Sequence, residues 1–327
     1  MRTIDELKPI RRTTNNGAKI IVLDTGALLS PEDTAMLQAL HSRSTRGLDS
    51  HLGVLAKKGG SGDFMDMYYV GYGDKSIGDC GTTTIFIEGV SMLVAKAIQD
   101  WPLYNGQESS TRYIDFATQP FIDPVATKQS KKILEKWRDF YIKGMPQLID
   151  DLTRKHPRQE NEDEKIYLKA IRARAFDIIR GFLPAGASTN LSWHTNLRQA
   201  ADHLMTLRHH PLSEVREIAE KIEEALKDAH SHSFRQKLYP HTENYNMSIM
   251  KNYYFGPKKW PEFTYSTDRF NKQKLKEFKN QLKTRPMKAE LPKNIRKCGT
   301  IEFDFLLDFG SFRDIQRHRA LHQEMPL

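Results

Sequence analysis

Cysteine is almost absent: Cys80 and Cys298 are the only two in 327 residues, and they stand far apart in the chain. That excludes a disulfide framework and a clustered thiolate metal site, and leads us to expect a reducing, cytoplasmic setting. Long apolar runs are lacking as well. No stretch approaches the roughly 20 apolar residues that a membrane-spanning helix needs, and Met1–Arg12 is too polar for a secretory leader. Acid is in deficit, with 41 Asp and Glu against 50 Lys and Arg, for a net charge of +9. A basic balance suits an anionic partner such as a nucleotide, cofactor phosphates or nucleic acid, without choosing among them. What is present, 39% apolar and 10% aromatic residues, is enough to build cores. The length suits two domains better than one.

Periodicity and capping chemistry lay out the first part of the chain. Lys19–Leu23 is a β-branched run after Asn15-Asn16-Gly17 and predicts a strand. Ser30-Pro31-Glu32-Asp33 opens a helix, with Ser30 as cap, Pro31 at the first position and Met36, Leu37 and Leu40 as its apolar face. The glycines of Lys57–Gly62 mark a flexible connection, and Tyr68–Ile77 a turn-rich entry to the next element. Thr82–Val90 is β-rich, and the apolar run Met92–Ile98 follows as a helix. Asp123–Thr153 reads as a long helix capped by Asp123, which Pro146 should kink or split. Glu164–Leu183 is a helix with Ile171, Ala175, Ile178 and Phe182 on one stripe, stopped by Pro184. Thr195–Arg208 is capped by Asn196, with Gln199 as its capping-box partner. The helix started by Pro211 carries the stripe Leu212, Val215, Ala219, Ile222 and Leu226. The histidines of His230–His232 read as part of a solvated linker rather than a metal tract.

The candidate site lies in Gln107–Tyr113, Gln107-Glu108-Ser109-Ser110-Thr111-Arg112-Tyr113. Arg112 is a planar donor fork suited to phosphate or carboxylate, and Glu108 and Ser110 can hydrogen-bond a base or sugar. The plain alternative is a polar loop between two buried elements. Farther on, composition shifts over 231–260 to Tyr, Asn, His, Pro and Lys, as in a linker. Lys272–Lys297 is strongly basic, which fits a solvated helical face; nucleic-acid contact is the sharper reading, without a fold signature behind it.

Several landmarks then fall in order. Asp79–Ser91 resembles the strand before the signature motif of the flavin-dependent thymidylate synthases, with Asp79-Cys80 where that family has Glu-His. The second half of the signature survives as Glu108, Ser110, Arg112 and Tyr113. Its Arg-His-Arg does not: Asp100-Trp101-Pro102 stands there, and Asn105 replaces the first serine. Downstream, Asp177, Arg180, Leu183 and Pro184, then Asn196-x-Arg198, Leu207-Arg208 and Glu214-Val215-Arg216 are similar to the family's later motifs. The gap from Asn196 to Arg208 is one residue longer than in the family. The resemblance covers Lys19 to Leu226. Phe303–Leu307 followed by Arg317-His318-Arg319 echoes strand, helix and Arg-His-Arg, as an internal duplication whose second copy stops at Leu327 would.

The resemblance implies an α/β (α+β) fold, a mixed sheet flanked by long helices, in a homo-oligomer with sites between subunits. It divides the chain into a domain at 1–230, a linker at 231–260 and an incomplete second copy at 261–327. It implies reductive methylation of dUMP to dTMP, with FAD as cofactor and NADPH and methylenetetrahydrofolate as co-substrates, the protein supplying binding, orientation and electrostatics. In that reading Gln107, Glu108, Ser110 and Arg112 bind the nucleotide and Arg180 and Arg208 contact and polarise the uracil. Arg208 and Ser110 stand nearest the chemistry. Asn196 and Arg198 contact FAD, joined by Arg317, His318 and Arg319 of the second copy in a composite site. No metal and no membrane enter. Cys80 is then a small buried residue rather than a reactive thiol, and Arg180 and Arg208 have the alternative role of helix-terminal cations answering the dipole. Two other functions remain open: a divergent copy that keeps nucleotide or flavin affinity without turnover, and methylation of another pyrimidine nucleotide.

Overall fold

The computed structural model describes residues 10–23, 30–42, 48–109, 116–254, 262–287, 289–318 and 320–325. In chain order the elements are β1 (Ile10–Thr13), β2 (Lys19–Leu23), α1 (Pro31–Ser42), α2 (Leu48–Lys58), α3 (Gly62–Phe64) running into a π-helical stretch (Met65–Gly71), and α4 (Lys75–Gly78). Then come β3 (Thr82–Ser91), α5 (Met92–Gln99), β4 (Asn105–Glu108), α6 (Lys128–Lys155), α7 (Glu164–Ile179) with a 3-10 turn (Arg180–Phe182), β5 (Ser188–Asn196), α8 (Leu197–Leu207), α9 (Ser213–Ala229) and α10 (Pro240–Tyr254). The last are β6 (Phe263–Ser266), α11 (Lys272–Lys276), α12 (Lys279–Thr284), a 3-10 turn (Lys293–Cys298), β7 (Glu302–Phe305) and α13 (Phe309–Ile315).

Five strands form one sheet in the order β1-β2-β3-β5-β4. Every pairing in it is antiparallel, not mixed as expected. Strand alternation turns Ile20, Val22, Ile85, Ile87, Leu191 and Trp193 to one face, where α5, α8 and α9 cover them with Val94, Ile98, Leu197, Leu204, Val215, Ile218 and Ile222. The clean stripe of α9 is buried as its period requires. Gly89 produces a bulge in β3: its φ of 71° sits where the register shifts between Glu88 and Val90.

Local signals held where capping was explicit. Ser30 Oγ accepts from Asp33 N at 3.0 Å, and Asn196 Oδ1 accepts from Gln199 N at 2.8 Å. The long helix starts later than expected, because Thr127 and Ser130 form a capping box, while Asp123 accepts from the Val125 N–H and the Ser130 hydroxyl ahead of it. Pro146 does not split it. The carbonyl that Pro146 leaves unpaired is that of Ile142, and both residues are exposed, so water can take the bond. On α7, Ile171, Ala175 and Ile179 are buried while Ile178 and Phe182 are exposed, a stripe shifted by one residue from the predicted one. The turn-rich entry at Tyr68 is π-helical instead. His230 is buried with its ring on Thr83 Oγ1, and His232 faces Asp66 at 2.9 Å, so this stretch is not a solvated linker.

The chain forms two compact units, one of Met1–Phe255 with Phe309–Leu327, the other Gly256–Asp308. The expected linker of 231–260 therefore includes α10, which packs on α8, and α13 belongs with the large unit. In the small unit β6 and β7 pair antiparallel, with Phe263 opposite Phe305 and Tyr265 opposite Phe303. No helix among the described residues is long and apolar enough to cross a membrane.

Candidate functional site

The edge strand β4 carries Gln107 and Glu108, so this part of the predicted loop is a strand. Gln107 pairs with Ser192 and turns its side chain outward; Glu108 turns inward beside α5. Gly106 makes the pairing close, since a Cβ there would lie 1.9 Å from Ser192 O. Ser110, Thr111, Arg112 and Tyr113 lie outside the described residues, as does Arg319.

Glu108 meets two buried cations. Its Oε2 is 2.9 Å from Lys96 Nζ and accepts from Gln99 Nε2 at 2.9 Å; its Oε1 is 2.5 Å from Arg313 Nη2. Burial alone would raise its pKa, but Lys96 and Arg313 hold it below the usual carboxylate range. Lys96 is pushed down by burial against the pull of Glu108. Arg313 also reaches Met92 Sδ, and Gln316 donates to Lys96 O at 3.1 Å, so α13 lies along α5.

The next residue on α13, Asp314, pairs with Arg180. Arg180 also faces Asp177 at 3.6 Å. Adjacent residues of one short helix thus neutralise two candidate substrate contacts, Glu108 and Arg180. Arg208 sits elsewhere, 2.8 Å from Glu243 of α10 and 3.6 Å from Glu223. Glu243 also holds His209 at 2.8 Å. Arg198 pairs with Asp79 at 2.8 Å and Asp202 at 3.5 Å. Asn196 spends its side chain on the α8 cap. Arg317 and His318 are exposed, Arg317 facing Asp314 at 3.4 Å. Of the predicted residues, the structure brings Glu108 and Arg180 to one helix, α13, and leaves Arg208 and Arg198 in separate ion-pair networks.

Asp100 and Trp101 are built into the core's edge. Asp100 accepts from the Tyr253 hydroxyl at 2.7 Å; burial raises its pKa against that bond. Trp101 stacks on His203 with ring centroids 4.5 Å apart and donates to Gln199 Oε1 at 2.9 Å. His203 is fully buried, and burial pushes its pKa down to about 4. The Gln199 side chain therefore serves Trp101, and only its backbone N–H meets Asn196. Cys80 is partly exposed rather than buried, with its thiol pKa raised by burial and by Asp79.

Lys96, Arg313, Asp314 and Tyr253 were missed as site residues. Lys96 had one readable signal, a lone cation inside the apolar run Met92–Ile98. The others come from chain distant in sequence and show only on folding.

Residues 27–230, more than half of the chain, match the family described as thymidylate synthase complementing protein. The chain belongs to that family. UPF0159 proteins of Chlamydia muridarum (strain MoPn / Nigg) and Chlamydia pneumoniae are 26% identical to it, over 81% of this chain and 61% and 60% of their own lengths. The UPF0159 protein Ta1429 of Thermoplasma acidophilum is 23% identical over 92% of this chain and 72% of its own. The chain spans about 60% of the length of the Chlamydia relatives it matches. Among solved structures, a UMP/dUMP methylase, PolB from Streptomyces cacaoi bound with 5-Br dUMP, superposes with a TM-score of 0.45 at 15% identity, covering 68% of this chain and 95% of that one.

The flavin that this family implies does not fit the described residues of the first domain. The positions of the missing Arg-His-Arg hold a shielded carboxyl, a stacked indole and a proline. Asn196 and Arg198 are committed to a helix cap and to two carboxylates. An anionic cofactor would meet Asp100 where it needs a cation.

Proposed function

We propose that residues 10–230 serve a thymidylate-synthase-type methylation of a pyrimidine nucleotide as a copy without turnover, its substrate and flavin contacts replaced by contacts within the chain. The whole protein's reaction in this reading is reductive methylation of dUMP, or of a related pyrimidine nucleotide, with FAD, NADPH and methylenetetrahydrofolate. The observation that carries the reading is α13: Arg313 answers Glu108 and Asp314 answers Arg180. A nucleotide would have to displace Arg313 to reach Glu108 and Asp314 to reach Arg180.

The test is direct. The purified protein should have no visible flavin band after incubation with FAD, and titration calorimetry with dUMP should give a Kd weaker than about 1 mM. A bound yellow flavin, or micromolar dUMP affinity, would overturn the reading in favour of an active flavin-dependent thymidylate synthase. Family membership alone supports that alternative.

A further inference from the structure

The two helices that meet beside Glu108 correspond to one another in sequence. Lys75-Ser76-Ile77-Gly78-Asp79-Cys80-Gly81-Thr82 is matched by Lys293-Asn294-Ile295-Arg296-Lys297-Cys298-Gly299-Thr300, sharing Lys, Ile, Cys, Gly and Thr at equal spacing. Each begins as a short helix or a 3-10 turn and leads into a strand, α4 into β3 and Lys293–Cys298 into β7. Each strand pairs antiparallel with the one before it in the chain, β3 with β2 and β7 with β6. Each then gives way to a helix behind a residue of capping type, Ser91 before α5 and Asp308 before α13. The first copy is longer by one residue across the strand, and the bulge at Gly89 accounts for it. With that residue set aside, Leu93 falls on Gly310, Lys96 on Arg313, Ile98 on Ile315 and Gln99 on Gln316.

The same positions make the contact from both sides. Gly310, Arg313 and Gln316 are the buried stripe of the α13 segment, and α5 meets it with Leu93, Lys96 and Gln99. Lys96 and Arg313, equivalent cations, take the two oxygens of Glu108 at 2.9 and 2.5 Å. Gln316 Nε2 donates to Lys96 O at 3.1 Å, while its equivalent Gln99 donates to Glu108 at 2.9 Å, on the carboxylate that Arg313 holds. Leu93, Lys96 and Ala97 line one small cavity with Gln316. One patch meeting its own equivalent is the mark of an isologous two-fold contact. The charges depart from that symmetry: among the described residues one carboxylate, Glu108, answers both cations. Two α5 helices, each with its own β4, would set two ammonium groups against two carboxylates.

We propose that the α5 stripe of Leu93, Lys96 and Gln99 is a self-association surface of this fold, which α13 fills from within the chain and which fits α5 of a second copy once α13 is displaced. The surface exists whether or not a nucleotide reaches Glu108. In the full chain, Arg313→Glu puts a second buried carboxylate against Glu108 and should displace α13. Amide exchange in α13 should then quicken at least tenfold. The mass from light scattering should double over that of the wild type and fall back on dilution. Adding Leu93→Asp should restore the wild-type mass at every concentration while α13 still exchanges fast. Phe309→Asp loosens α13 from the cluster around Met92 without placing charge on Glu108. It should reproduce the doubling, and it serves where circular dichroism shows Arg313→Glu unfolded. A displaced α13 with any mass but double, or a doubled mass that Leu93→Asp leaves in place, overturns the proposal. So does an α13 that stays protected in both variants, since the stripe then does not hold it. Loss of fold in both also overturns it, because α13 is then part of the core and not the filler of a surface.

Discussion

At the scale of single residues, the site is a problem of buried charge. Glu108 beside Lys96 and Arg313 is tolerated because each oxygen has a cation and Gln99 adds a donor. Glu108→Gln would leave two buried cations facing an amide. We expect it to cost ~3–5 kcal/mol at neutral pH, measured by urea unfolding. The folded carboxyl titrates below its unfolded value near 4.3, so its contribution is present above that value and is lost as pH falls through the folded one. The gap between wild type and variant should therefore close below about pH 4. A gap independent of pH would mean that Glu108 is not ionised in the fold. His203 and His210 act in a second acid limb. Burial pushes both pKa values down to about 4, aided at His210 by Arg216. Because the unfolded state binds the proton first, stability should decline as pH falls from 6.5 toward about 4. Unfolding midpoints flat across that window would show that the histidines are not sequestered.

At the scale of elements, Asn196 separates two roles that its motif confuses. In the structure its oxygen caps α8. Asn196→Ala should cost ~1 kcal/mol and leave flavin absorbance as it was, absent. An unfolding midpoint that does not move would show that the cap bond contributes nothing to α8. Gly106→Ala tests β4, because the new methyl would collide with Ser192 O. It should strip β4 from the sheet edge and, with it, Glu108 from its cations. The result should resemble Glu108→Gln in its pH dependence while also exposing the β4 amides to exchange. The strands β2 and β3 and two of the caps were legible because their determinants are local: a β-branched run at Lys19–Leu23, a serine before a proline at Ser30, an asparagine before an apolar period at Asn196; β1, β4 and β5 were not read as strands. The start of α6 was not, since Asp123 and Thr127 are both good caps and only Ser130 decides between them. Antiparallel order was illegible too. β3 and β5 neighbour each other across the whole excursion of α6 and α7, and no residue in either strand announces the other's direction.

At the scale of the whole molecule, the sequence offered candidate residues but not their partners. Glu108 and Arg180 were readable as parts of family-like motifs, Glu108 in a polar stretch and Arg180 among apolar neighbours. Their occupancy by Arg313 and Asp314 was not readable, because α13 lies far along the chain and joins the large unit only after the small one in sequence. If that return is what keeps a nucleotide out, relieving it must admit one. Asp314 is partly exposed, so Asp314→Asn should change stability by less than about 1 kcal/mol. Among the described residues it leaves Arg180 with the longer contact to Asp177. Recovering one charge-assisted bond to a ligand is worth ~1.5–3 kcal/mol, so dUMP affinity should rise roughly ten- to hundredfold over wild type in titration calorimetry. Arg180→Ala in the same background should erase the gain, which ties it to that guanidinium and not to loosened structure. If Asp314→Asn is folded and dUMP still fails to bind, α13 is a structural helix, and the loss of nucleotide contacts lies in the first domain itself.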